Sequence, residues 1–175
     1  MNLKYLLIII SCVVFYSCTN ISAGINSNSI KLYSSKEKED SVNSPTSDCD
    51  PNLWEYVYDA SRLRVVDKCK TVTGVIEETS ADEDGDQHML LKLDKGQKNL
   101  LTKKNKIKKQ GDLVIEAVCI NNIIRKKAMG ACTGYINHVM LPEVGDHVKV
   151  TGSYVIDSHN GWAEIHPITK IEKIK

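Results

Sequence analysis

Residues 148–168 read VKVTGSYVIDSHNGWAEIHPI, and their pattern is the clearest indication of the fold in the sequence. Residues 148–156 are rich in β-branched and aromatic side chains, which predicts a strand, and residues 162–168 predict another. The polar residues 157–161 between them predict a turn. Gly152 lies inside the first strand, where the lack of a side chain permits a sharp bend or the close approach of another strand. The stretch therefore predicts two consecutive strands of a tightly coiled sheet.

Three earlier segments also have β patterns. Residues 71–77 repeat the Val-Thr-Gly phrase of residues 150–152, with Gly74 in the place of Gly152. Residues 88–93 alternate between an apolar face and a second face that begins with His88. Residues 113–119 are almost wholly apolar. These segments bring the number of predicted strands to five.

Helices have a smaller share in the predicted fold. Asp50 and Pro51 supply an N-cap and a first helical position, and apolar residues then recur at helical spacing, which predicts a short helix over residues 51–62. Residues 122–135 are irregular and leave room for a second helix between the third and fourth strands.

This pattern predicts a mainly β domain over residues 49–175. Five strands, glycines inside two of them and a longer insertion before the fourth match the small oligonucleotide- and oligosaccharide-binding (OB) barrel. A different small antiparallel sandwich is the alternative.

The first 17 residues of the 175-residue chain predict a signal peptide. Residues 5–16 are almost wholly apolar, but a bilayer span needs about 20 such residues. Residues 15–18 (FYSC) resemble a bacterial lipobox, which predicts lipidation of Cys18; Cys12 is a second candidate, and an ordinary signal peptide is the alternative. Residues 18–48 are rich in Ser, Asn, Lys and Glu and predict a flexible tether. The predicted location is the cell envelope, with secretion as the alternative.

Four further cysteines follow the predicted signal: Cys49, Cys69, Cys119 and Cys132. An even number in an exported chain predicts two disulfides, and no CxxC pair of a zinc or redox site is present. Of the three possible pairings, Cys49 with Cys69 and Cys119 with Cys132 are preferred, because each closes a short local loop.

Charge gives little indication of a partner. The formal net charge is +1, so no global field favours nucleic acid or a membrane. Acidic residues concentrate in residues 77–86 and lysines in residues 95–109, and such blocks are typical of solvated loops. Binders of single-stranded nucleic acid need aromatic platforms beside a basic groove, and the lysine-rich loop contains no aromatic residue. A nucleic-acid partner is therefore not favoured.

Four segments resemble an uncharacterised family of exported microbial proteins that share a DGDxH element and an HGWxEIHP-like ending. They are residues 69–74 (CKTVTG), 84–88 (DGDQH), 113–116 (LVIE) and 159–167 (HNGWAEIHP). The ending of this chain has Asn160 inserted between His159 and Gly161. The resemblance spans about residues 53–172 and implies an OB-like domain and export, without an activity.

A looser similarity connects residues 84–86 (DGD) with the thermonuclease branch of OB folds, in which such a turn opens a strand beside an acidic calcium site. The arginine and the Asp-x-Pro-Glu segment of those nucleases are missing after Leu100. The similarity therefore implies the fold without the catalytic set.

The candidate site centres on the last strand. Glu164 and His166 are two residues apart, so they share one face with Trp162. A histidine and a carboxylate on one face are suitable ligands for zinc or another divalent cation. The candidate metal ligands are Asp84, Asp86, His88, Glu164 and His166. The candidate ligand-binding residues are Asp157, His159 and Trp162.

Other interpretations of these residues stay open. Asp84, Asp86 and Asp157 could hydrogen-bond their own turns, with His166 and Glu164 as a structural pair. The predicted function is a monomeric, non-catalytic binding or accessory module at the envelope, joined to the membrane by lipid, with an envelope protein or a small ligand as its partner. The alternative is a metal-dependent hydrolase that acts on phosphodiesters.

Overall fold

A computed structural model describes residues 48–175, in which five strands form one closed sheet. The strands are β1 (Leu63–Ala81), β2 (Gln87–Leu93), β3 (Leu113–Ala117), β4 (His147–Asp157) and β5 (Ala163–Lys173). Their order is β1-β2-β3-β5-β4, and β4 pairs with β1 to close the ring. Only β3 and β5 run parallel among these strands. The prediction of a mainly β domain with five strands is confirmed.

Glycines let two strands approach their neighbours closely. A Cβ atom on Gly74 would collide with the carbonyl oxygen of Lys92, and one on Gly152 would collide with that of Pro167. The register between β4 and β5 shifts on both sides of Gly152. A larger residue at either position would therefore push two strands apart, as expected for glycines inside a tightly coiled sheet.

The ring encloses the main apolar core. Met89, Ile115 and Ile165 are among its fully buried members. Since successive side chains in a strand point to opposite faces, the neighbours of these residues point away from the core. His88, Glu116, Glu164 and His166 are therefore on the outer face of the sheet.

The helical parts differ from the prediction. The predicted helix over residues 51–62 consists of two 3-10 helices, Pro51–Tyr56 and Ala60–Arg62, because Asp59 between them has a left-handed backbone with φ 50°. Asp50 nevertheless caps the first one through a hydrogen bond from the Asn52 N–H. A 3-10 helix, Lys98–Leu100, also follows β2.

The room for a helix between the third and fourth strands is filled only by one short turn of 3-10 helix. That connection contains one 3-10 turn, Lys126–Ala128, and glycines at 130 and 134 interrupt the stretch that follows. The α-helix of the described residues, α1 (Lys103–Lys108), lies between β2 and β3 instead. Thr102 and Asn105 form a capping box at its start, which stabilises a helix where the sequence predicted a solvated loop.

Both predicted disulfides are confirmed. Cys49 is bonded to Cys69, and Cys119 to Cys132. Two disulfides in one small domain indicate a non-cytosolic, exported protein. All the strands, both disulfides and the apolar clusters lie between Cys49 and Lys175, so this part has a core of its own, as an independently folding domain does.

The predicted signal peptide (residues 1–17), Cys18, Cys12 and all of the predicted tether (18–48) except Asp48 lie outside the described residues. Within residues 48–175, no helix has the length and apolarity that crossing a membrane requires.

Candidate functional site

The candidate site lies on the outer face, at the end of the ring where β1 begins and β4 ends. Arg62 immediately precedes β1, and Asp157 is the last residue of β4. Ile115 and Ile165 are register partners in the core and Val114 pairs with Glu164, so Glu116 and Glu164 project from the same outer face of the sheet. The parallel pairing of β3 with β5 thus brings together acidic residues that are far apart in the sequence.

His166 is the centre of a buried cluster with three carboxylates, Asp86, Glu116 and Glu164. Its side chain is fully buried, and Nδ1 lies 2.8 Å from Glu116 Oε2 and 3.5 Å from Glu164 Oε2. On the other side of the ring, Nε2 lies 3.5 Å from Asp86 Oδ2. Carboxylates therefore flank both ring nitrogens. We refer to these four residues as the carboxylate–histidine cluster.

Arg62 adds a second positive charge beside the cluster. Its Nη1 atom donates a hydrogen bond to Asp157 Oδ2 at 2.6 Å and lies 3.7 Å from Glu164 Oε1. Asp157 Oδ1 also accepts hydrogen bonds from the N–H groups of His159 and Asn160, so Asp157 stabilises its own turn. Arg62 thereby connects that turn to the cluster.

Asp86 and Asp84 have different partners. Asp86 Oδ1 accepts a hydrogen bond from the N–H of Cys119, which lies beyond the end of β3. Asp84 Oδ1 accepts from the N–H of Asp86 at 3.4 Å, within its own turn. The turn interpretation therefore holds for Asp84 and Asp157, whereas Asp86 joins its turn to another part of the sheet.

The charges of the cluster are strongly interdependent. Burial and the nearby charge of Glu116 raise the pKa of Glu164 to about 7. Burial would also raise the pKa of Glu116, but the positive charge of His166, whose Nδ1 atom lies 2.8 Å away, lowers it to about 2. Burial opposes the charged form of His166, yet the surrounding carboxylates raise its pKa well above the usual range. Near neutral pH the cluster therefore contains an imidazolium, an ionised Glu116 and a Glu164 close to its titration midpoint.

Four buried atoms of this cluster lack a well-directed hydrogen bond within residues 48–175. They are both nitrogens of His166 and both carboxylate oxygens of Glu164, although each residue lies within ion-pair distance of a neighbour. Buried polar atoms nearly always have partners, and an absent partner commonly indicates an ion or a water molecule. The carboxylate–histidine cluster thus has unused coordinating capacity.

The donor set fits a divalent cation. One ligand atom from each of Asp86, Glu116 and His166 lies within 4.8 Å of the others. Carboxylate oxygens with one imidazole nitrogen suit Zn²⁺, Mn²⁺ and related ions. A ligating histidine usually donates its second N–H to a carboxylate, and His166 has carboxylates on both sides.

An open cleft of about 490 Å³ leads to the cluster. Glu116 is the member of the cluster that lines it, and burial and the charge of Glu116 raise the pKa of Asp82 on its wall to about 6. Six carboxylates and three Lys or Arg side chains line the cleft, so its net charge is negative. The carboxylates belong to Asp59, Glu78, Asp82, Asp84, Glu116 and Asp157, and the cations to Arg62, Lys109 and Arg125. The field in the cleft therefore favours a cation.

One wall of the cleft presents an aromatic ring. The Lys109 Nζ atom lies 4.1 Å from the centroid of the Trp162 ring, a cation–π geometry, and 3.0 Å from His88 Nε2. Burial lowers the pKa of His88 below its usual value, and the nearby positive charge of Lys109 lowers it further. A neutral His88 accepts the hydrogen bond of Lys109, so this wall is held in place by three side chains.

The structure assembles part of the predicted site. Asp86, Glu164 and His166 come together as predicted, whereas Asp84 and His88 lie on the wall of the cleft. His88 does not belong to the group whose ligand atoms are within reach of one ion. The predicted ligand-binding residues Asp157, His159 and Trp162 all line the same cleft.

Sequence reasoning missed Glu116 and Arg62. Glu116 had a recognisable signal, since it is the one charged residue in an apolar strand. Arg62 had none, because it lies at the end of a predicted helix, and only the closure of β4 on β1 brings it to Asp157.

Comparison with known proteins assigns no relative, because no protein-family model matches the chain and no curated protein matches it in sequence.

Proposed function

We propose that this protein is an exported binding module that holds one divalent metal ion at the base of its acidic cleft. The observation that carries the proposal is the carboxylate–histidine cluster, in which buried atoms of His166 and Glu164 lack a well-directed hydrogen bond in the described domain, although charged neighbours lie 2.8–3.7 Å away. Glu116 would connect the ion to the cleft, because it belongs to the cluster and lines the cleft. Glu164, whose Oε2 atom lies 3.5 Å from Nδ1 of His166, would orient the imidazole.

The fold proposed for this module is an OB-like barrel. Support comes from the closed order of five strands, the two strand glycines and the location of the cleft on the outer face. A fold does not determine which ligand a protein binds, so the ligand is inferred from the chemistry of the cluster.

The module is proposed to be attached to the membrane at the cell envelope through lipidated Cys18, with residues 18–48 as a tether. The FYSC sequence of residues 15–18 and the disulfides support this location. The cleft would then be open to a small ligand or an envelope protein that completes the coordination of the ion.

Burial favours binding over catalysis. The side chains of His166 and Glu164 are fully buried, so neither contacts a molecule in the cleft. A general acid or base has to come within hydrogen-bond distance of the reacting group. A bound ion would accordingly organise the site rather than expose His166 to a substrate.

A metal-dependent hydrolase of phosphodiesters is the second candidate. Lys109 and Arg125 line the same cleft and could bind a phosphate group beside the ion. Against it, His88 is bonded to Lys109 and lies outside the group of candidate metal ligands. Release of a chromogenic phosphodiester product that depends on the ion and on Lys109 would favour this candidate.

The proposed function is tested by thermal melts of the domain from Asp48 to Lys175. The domain is melted in chelator and then with zinc, calcium or manganese. An ion that binds only the folded state adds about 2.7 kcal/mol at a concentration of 100 Kd, so one ion should raise the Tm saturably.

Two variants and one control make the melt specific. Glu116→Gln keeps the shape of the side chain and should abolish the rise, as should His166→Ala. His138→Ala changes an exposed histidine outside the cluster and should leave the rise intact. No rise with any ion, or an equal rise in Glu116→Gln, would contradict a metal site in the cluster.

A further inference from the structure

We propose that the folded domain itself binds anionic membrane surfaces, through an exposed tip formed by residues 124–129 (IRKKAM). This surface is separate from the carboxylate–histidine cluster, and the proposal does not depend on metal binding. Ile124 and Met129 are 76% and 62% exposed, and Arg125, Lys126 and Lys127 between them are also exposed. Two apolar side chains thus flank three cations at one point of the surface.

The tip is held in place by the rest of the domain. The N–H groups of Ile124 and Arg125 both donate to the carbonyl oxygen of Glu83 at 2.8 Å. Ala128 is fully buried, and the disulfide between Cys119 and Cys132 encloses the segment. A fixed tip loses little conformational freedom when it binds. The apolar side chains are therefore held out to solvent by a stable support.

The charges of the tip are available to a partner. Lys126 and Lys127 form no ion pair or hydrogen bond with any part of the chain that the structure describes. Arg125 pairs with exposed Glu83, lies over the ring of Tyr58 and also lines the acidic cleft. No acidic residue occurs between Glu116 and Glu143, so residues 117–142, which include the tip, contain no carboxylate side chain. Ile136 and Met140 in the same connection are 69% and 79% exposed.

This chemistry matches an anionic lipid surface. Lysine and arginine near such a surface are attracted by its negative potential, and aliphatic side chains can enter the boundary with the acyl chains. Protein interfaces usually rely on a buried aromatic anchor, and residues 124–129 contain no aromatic residue. The other basic segment, α1, has four lysines but a single exposed apolar residue, Ile107. The tip is therefore the better membrane contact.

Binding to vesicles tests the proposal. The domain from Asp48 to Lys175 is sedimented with vesicles of phosphatidylcholine alone and with vesicles that contain about one-quarter phosphatidylglycerol. Binding to the anionic vesicles only is expected, and the triple variant Arg125→Gln, Lys126→Gln, Lys127→Gln should weaken it at least about tenfold. The double variant Ile124→Ser, Met129→Ser should also weaken it, because the apolar contacts are lost while the charges stay.

A matched control removes three charges from another place. The triple variant Lys103→Gln, Lys106→Gln, Lys108→Gln lowers the net charge equally and should retain most of the binding. Equal loss in this control, no binding to anionic vesicles, or binding unchanged in the Ile124 and Met129 variant would overturn the proposal. Binding of the tip to polyglutamate without binding to vesicles would assign it to an acidic protein partner instead. Chelator should have no effect, which separates this result from the test of the metal site.

Discussion

The Nδ1 atom of His166 lies 2.8 Å from the Oε2 atom of Glu116, across the boundary between β5 and β3. Both side chains point away from the core, and only Glu116 lines the cleft. This contact joins the fully buried part of the cluster to the surface. An ion that enters through the cleft would therefore meet Glu116 before the other members of the cluster.

Replacing Arg62 should destabilise the metal-free domain. Arg62→Met leaves the buried carboxylate of Asp157 without its positive neighbour and removes one of the two cations beside Glu164. Removing one partner of a buried ion pair costs about 3–5 kcal/mol. Urea unfolding measures the loss. Arg64→Met is the matched control, because Arg64 is exposed and should change stability by less than about 0.5 kcal/mol. Similar values for the two variants would mean that Arg62 does not balance the cluster.

The stability of the metal-free domain should fall as pH rises from about 5 to about 8. Glu164 has a pKa of about 7 in the folded state against 4.5, and the pKa of His166 is raised above 6.5. Both groups bind protons more tightly in the folded domain than in the unfolded chain. Their contribution to the stability of the folded state is therefore present at low pH and is lost as pH rises through the folded pKa values. Each unit of difference is worth about 1.4 kcal/mol.

Glu116 should have the opposite effect on the stability of the domain: its contribution should be lost as the pH falls. Its pKa is lowered from 4.5 to about 2, so its contribution is complete above 4.5 and is lost as pH falls toward 2. Chemical denaturation over a pH series should therefore show a maximum near pH 5, and Glu164→Gln should flatten the decline above it. A curve that rises steadily to pH 8 would contradict these charge states.

Gly152→Ala should destabilise the domain by about 2–3 kcal/mol, because the new methyl group would collide with the carbonyl oxygen of Pro167. Gly130→Ala is a suitable control, since a Cβ there meets no atom within 4 Å and the backbone of Gly130 is not left-handed. Thermal unfolding compares the two. Equal melting temperatures would show that β4 and β5 can separate at Gly152 without cost.

Removing the disulfide between Cys119 and Cys132 should cost about 3 kcal/mol, the value expected for a loop of this size. Unfolding of the double variant Cys119→Ala, Cys132→Ala measures the loss. The Cys49–Cys69 bond remains intact in this variant. Reduction of both disulfides should therefore destabilise the domain more than the double variant does. A double variant as stable as the parent would mean that residues 120–131 are constrained by other contacts.

The sequence allowed the strands, the strand glycines and the disulfide pairing to be predicted, because each depends on local signals. Gly74 and Gly152 interrupt β-branched runs, and the paired cysteines are separated by 20 and 13 residues. α1 escaped prediction because its lysines suggested a solvated loop, whereas buried Asn105 anchors it through hydrogen bonds with the backbone of Ala163. That contact spans 58 residues and has no local signal.

The candidate site was predictable only in part for the same reason. Glu164 and His166 alternate in one strand, so their common face follows from the sequence. Glu116 and Arg62 join them through the parallel pairing of β3 with β5 and the closure of β1 on β4. Pairings between distant strands are not encoded in a spacing, so the complete cluster required the three-dimensional structure.

The most direct measurement is calorimetric titration of the metal-free domain with zinc, manganese and calcium, alongside Glu116→Gln and the control His138→Ala. We expect a single site per chain for at least one ion, with release of a proton, because His166 must lose one to act as a ligand. The site should be lost in Glu116→Gln and kept in His138→Ala. Absence of binding for all three ions, or binding that Glu116→Gln leaves unchanged, would contradict the metal site and leave the cluster as a buried ion-pair network.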